Sequence, residues 1–65
     1  MGNAENYRVD DATFISLSRW VDENVTNDPD GARIRIVDFL ESESEEDAEF
    51  HMGHGWDHIY RLIFK

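Results

Sequence analysis

Seven acids fall within the twelve residues from Asp38 to Glu49: Asp38, Glu41, Glu43, Glu45, Glu46, Asp47 and Glu49, with no base among them. Carboxylates at this density repel nucleic acid and anionic lipid. Held in place by ordered flanks, they offer a fixed negative array to a basic surface. If the segment is extended, residues two apart repeat at about 6.6 Å. Glu41, Glu43 and Glu45 would then present carboxylates to one side, at a spacing comparable with successive phosphates of a nucleic-acid strand. Asp28 and Asp30, with Asp22 and Glu23, would extend the charge if they lie beside this stretch. The competing reading is a solvated face that keeps a small protein soluble.

Three other constellations carry weaker chemistry. His51, His54 and His58, with Asp57 adjacent, are side chains that bind zinc or nickel. Spread over a glycine-rich turn and two extended segments they need not converge, so no metal is expected; polar turn and cross-strand positions account for them. Asp28-Pro29-Asp30-Gly31 has the alternating acids and glycine of a calcium loop, but Val37 stands where the closing glutamate is needed and Thr26 at the first ligand. Asn24-Val25-Thr26 matches a glycosylation acceptor, at an expected helix end in a chain without a secretion signal. No glycine-rich phosphate loop occurs, and a carboxylate pair acting as acid and base would need an enclosing pocket. The expectation is a non-enzymatic protein without a cofactor.

The chain has 65 residues, with fifteen acids against six lysines and arginines, for a net charge of -9. That length supports one domain, 1–65, with one layer of structure on another. The charge favours a basic nucleic-acid-binding protein as partner and disfavours nucleic acid itself and membranes. The absence of cysteine agrees with a reducing compartment. No apolar run approaches a membrane span, and Met1 to Asn6 lacks the basic and apolar regions of a signal peptide. A cytoplasmic monomer is the expectation.

The elements that must position the acids begin at Asp10 and Asp11, either of which can cap a helix starting near Ala12. Phe14, Leu17, Val21 and Val25 recur at helical spacing, with Trp20 at the edge of the stripe and Ser16, Arg19, Asp22 and Glu23 outward. This predicts an amphipathic helix over Ala12–Val25. Thr26 to Gly31 then reverses the chain. Ala32 to Leu40 alternates at its start, predicting a strand with Ile34 and Ile36 inward and Arg33 and Arg35 outward; a bulge near Asp38 would explain the later slip, and a short helix from Ile34 to Glu41 competes. The acids would form a hairpin leading to a second strand, Ala48 to Met52, and Gly53 and Gly55 a turn. For the C-terminal run, a helix through Trp56, Ile59, Tyr60 and Ile63 fits, but the β-branched and aromatic content favours a third strand with Tyr60 and Leu62 inward. The expected fold is α+β: one amphipathic helix packed on a three-stranded antiparallel sheet, with Tyr7 to Val9 a possible edge.

In size, acidity and lack of catalytic motifs the whole chain resembles the small phage-encoded anti-defence proteins, particularly anti-CRISPR proteins of the DNA-mimic type. The resemblance is one of profile and carries over no residue. It implies a stoichiometric inhibitor, working in the cytoplasm of a bacterial host, that covers the DNA-binding surface of a defence complex such as a type I CRISPR surveillance complex. Two other classes fit the sequence. One is a regulatory adaptor or inhibitor using Trp20, Trp56, Tyr60 and Phe64 as aromatic anchors. The other is a salt-adapted domain, which would need molar salt to fold.

Overall fold

The computed structural model describes residues 5–65 and contains four helices among them: α1 (Asp11–Asn24), α2 (Pro29–Glu41), α3 (Glu45–Gly53) and α4 (Trp56–Ile63). No strand occurs among the described residues; the sole extended pairing described is an isolated antiparallel bridge between Asn6 and Ser44. The expected α+β architecture, with its three-stranded antiparallel sheet, is therefore replaced by a helical one.

The first helix lies where its periodicity places it. The Asp10 carboxylate accepts from the Thr13 N–H at 2.8 Å, closing one free donor of the first turn. Leu17, Val21 and Val25 are buried. Phe14, expected beside them, is 44% exposed at the end of the stripe.

Beyond the reversal, the turn signal is a helix start. Asp28 takes a left-handed conformation (φ 60°), which aspartate tolerates, and its side chain accepts from the Gly31 N–H. Pro29 occupies the first turn, where its missing N–H costs nothing. A β-carbon on Gly31 would meet Asp28 Oδ2 at 2.2 Å, so glycine leaves room for the cap. From there Ala32, Ile36 and Leu40 are buried at intervals of four. Ile34, expected inward beside Ile36, is 62% exposed: two positions apart share a face of a strand but stand about 200° apart around a helix. The apparent slip at Val37 to Leu40 is this helical period, and no bulge is needed.

The Glu-Ser-Glu-Ser-Glu segment is likewise a helix end, a cap and a helix start. Ser42 closes α2 through its N–H to the Asp38 carbonyl (3.0 Å) and its Oγ to the Phe39 carbonyl (2.7 Å). Ser44 caps α3, its Oγ accepting from the Asp47 N–H, and Glu45, Glu46 and Asp47 fill the first turn, where the helix dipole favours negative charge. The supposed second strand is thus α3, with Ala48 its fully buried residue. Gly55, with φ 103°, turns the chain into α4. There Ile59 is buried and Trp56, Tyr60 and Ile63 pack against the core, while Leu62, expected inward on a strand, is 40% exposed. The 3.6-residue period overrides the β-propensity of this run because it buries a continuous apolar stripe.

The core joins Leu17, Val21, Val25, Ala32, Ile36, Leu40, Ala48 and Ile59. The α2 helix lies between α1 and α4, and α3 packs against α4. The Tyr7 to Val9 segment, a candidate edge strand, instead runs along the α2–α3 junction: the Tyr7 N–H donates to the Glu43 carbonyl (2.9 Å) and the Val9 N–H to Glu41 Oε2 (3.1 Å).

Candidate functional site

The structure divides the sequence-selected acids by what they touch. Glu41 is half-buried at the end of α2 and holds the N-terminal segment through its bond to Val9. Glu43, half-buried in the junction, places Oε1 3.6 Å from His51 Nε2. These two carboxylates serve the fold, and with Glu41 and Glu45 in separate helices the extended 6.6 Å ladder does not exist. Asp38, Glu45, Glu46, Asp47 and Glu49 are exposed, and no ion pair described for the molecule joins any of them to a base. Four of them crowd the first five residues of α3, and Asp38 stands on α2 at the rim of the α1–α2 groove.

Asp28 and Asp30 stand at the start of α2, with Asp38 about 12 Å along the axis from Asp30 at about 1.5 Å per residue. Asp28 is spent as the α2 cap. Asp30 pairs with Arg33, which also reaches Asp22 at 2.8 Å, and the bond to Asp22, seconded by Asp30, raises the guanidinium pKa further. This triad ties α1 to α2 and offsets one of the two negative charges there. The aromatic anchors considered from sequence are likewise drawn inward. Trp20, Trp56, Tyr60 and Phe64 pack on the core; Trp20 and Tyr60 lie 5.7 Å apart, Tyr60 stacks on Phe64 at 4.6 Å, and Trp56 Nε1 donates to Ser16 Oγ.

The three histidines come together at the α3–α4 junction, His58 lying 5.7 Å from His51 and 4.8 Å from His54 between ring centres. The His51 and His58 rings stack at 25° and the His54 and His58 rings are tilted by 32°; among the described residues no group of three His, Cys, Asp or Glu is arranged to hold a metal ion. His54 Nδ1 bonds to the Phe50 carbonyl at 2.9 Å.

Reading Ile34 and Phe14 as core concealed a further surface. Phe14, Ile34 and Val37 line an open groove of about 470 Å³ between α1 and α2, bounded by Asp30, Arg33 and Asp38, and Ile15 continues the apolar surface over α1. The signal was present in the spacing: once Ala32, Ile36 and Leu40 define the buried stripe, Ile34 and Asp38 must face away together. Among the described residues no helix is long and apolar enough to cross a membrane. Compared with family models, curated proteins and solved structures, the chain gives no match.

Proposed function

We propose that this chain is a non-enzymatic, stoichiometric inhibitor that lays the exposed acids of α2 and α3 against the basic nucleic-acid-binding surface of a bacterial defence complex. The observation that carries the reading is the set of five exposed acids, Asp38, Glu45, Glu46, Asp47 and Glu49, none of them ion-paired to a base in the described molecule. Carboxylates already matched by arginine offer a partner little. Unmatched ones attract lysine and arginine, and do so from a distance set by the Debye length of about 8 Å at physiological ionic strength. Helical presentation changes the kind of mimicry: the helices supply a patch of charge, not a linear ladder of phosphates. The profile resemblance to DNA-mimic anti-CRISPR proteins makes a type I surveillance complex the first target to test.

The test is competition for duplex DNA by the purified complex, with the wild-type chain and an Asp38→Lys, Glu49→Lys double variant. Both positions are exposed on helix bodies, so reversal leaves caps and first-turn charges intact. The wild type should displace DNA at near-equal molar ratio and lose potency as salt rises; the variant should lose at least tenfold. Undiminished inhibition by the variant, or no competition by the wild type, overturns the reading for this target.

A further inference from the structure

The apolar floor of the groove between α1 and α2 takes no part in the electrostatic contact, although Asp38 stands at its rim. Its floor is Phe14, Ile34 and Val37, and three large hydrophobic side chains of the region, Phe14, Ile15 and Ile34, are 44%, 59% and 62% exposed. Such a contiguous apolar surface costs solubility in a free monomer and commonly marks a contact site. Charge brackets it along α2. Asp30 stands at one end, held with Asp22 by Arg33, and Asp38 stands unpaired at the other, two turns further on. Beyond Phe14 the surface continues over Ile15 toward Arg19 and Glu23.

We infer that this groove receives an amphipathic helix from a partner protein, with apolar side chains at its centre and a lysine or arginine placed to meet Asp38. Three observations select that occupant. The described residues offer no strand edge for an extended peptide to join, whereas a trough between two packed helices accepts the ridge of a third. A second copy of the chain would bring Asp38 and a net charge of -9 against the same charge, which opposes self-association. A cationic helix meets Asp38 and the surrounding negative field while covering Phe14, Ile34 and Val37. The inference goes beyond the DNA-mimic reading, because the groove can hold such a helix whether or not the α3 acids compete with DNA.

The probe is an 18-residue peptide of leucine and lysine at helical spacing, with a leucine–glutamate peptide of the same pattern and an all-lysine peptide as controls, titrated into the isotopically labelled full chain. The leucine–lysine peptide should shift Phe14, Ile34 and Val37 resonances, the leucine–glutamate peptide should not bind, and Ile34→Asp should weaken leucine–lysine binding at least tenfold. That substitution adds negative charge, so weaker binding of a cationic peptide reports the lost apolar contact; all-lysine binding should not weaken. Shifts confined to the α3 acids, unchanged affinity of Ile34→Asp, or equal binding of the leucine–glutamate peptide would each overturn the inference. So would concentration-dependent broadening of Phe14 and Ile34 in the chain alone, which would name a second copy as the occupant. Glu49→Lys alone, outside the groove lining, tests the DNA competition separately, and Ile34→Asp should leave that competition intact.

Discussion

Ile34 and Ile36 are the same residue type two positions apart, and a strand and a helix assign them opposite relative fates. In the helix observed, Ile36 is fully buried and Ile34 is 62% exposed. Ile36→Ala removes three carbons' worth of buried surface, about 2.4 kcal/mol at about 0.8 per methylene, and the cavity left between α1, α2 and α4 raises the loss to about 3–4 kcal/mol, within the 2–5 usual for such truncations. Ile34→Ala gives up partial contacts and gains helix propensity of a few tenths, so its net effect should lie within about 0.5 kcal/mol. A 65-residue domain at 0.05–0.15 kcal/mol per residue holds only about 3–10 kcal/mol in all. Ile36→Ala should therefore lower the melting temperature by more than about 12 °C, at 4–8 °C per kcal/mol, or leave the chain unfolded at 25 °C. Urea unfolding followed by circular dichroism at 222 nm measures both variants on one scale. Equal losses of about 2 kcal/mol or more would rule out the helical placement, since they would put both side chains on the same buried face, as a strand does.

Two further predictions address the helix ends. Hydrogen bonds from the Thr13 side chain and backbone hold the Asp10 carboxyl below the ordinary aspartate pKa, so its stabilisation is present above the unfolded value and lost as pH falls through the lowered folded one. The wild type should melt above Asp10→Ala at neutral pH, with the gap closing in strong acid, while Asp10→Asn keeps an accepting oxygen and shows no such dependence; a gap constant with pH would refute the charged cap. At the α3–α4 junction, Gly55 adopts φ 103° and ψ 159°, a region all but restricted to glycine, and a β-carbon there would stand 3.0 Å from Asp57 Oδ1. Gly55→Ala should cost about 1–3 kcal/mol, whereas Gly53→Ala, with nothing within 4 Å, should be neutral or stabilise by up to about 1 kcal/mol; denaturant midpoints for the pair decide it.

The α1 helix, its cap and its buried stripe were legible in the amino-acid sequence, because Asp10, Leu17, Val21 and Val25 act within one helix and need no partner to be recognised. So were the excess of negative charge and the density of acids from Asp38 to Glu49. The sequence carried the α4 stripe as well, in the spacing of Trp56, Ile59, Tyr60 and Ile63, but β-branched and aromatic propensity pointed the other way, and only packing on the α2 face decides between a short apolar run as helix or strand. Tertiary structure alone decided which acids are available. Glu41 and Glu43 look no different from Glu45 and Glu46 in sequence, yet the N-terminal segment and His51 engage the first pair, while capping by Ser44 turns the second pair to solvent. It also decided the groove: Phe14 and Ile34 are apolar in any reading, but whether an apolar side chain is core or surface depends on which face its helix presents to its neighbours, a property of the assembled pair and not of either segment.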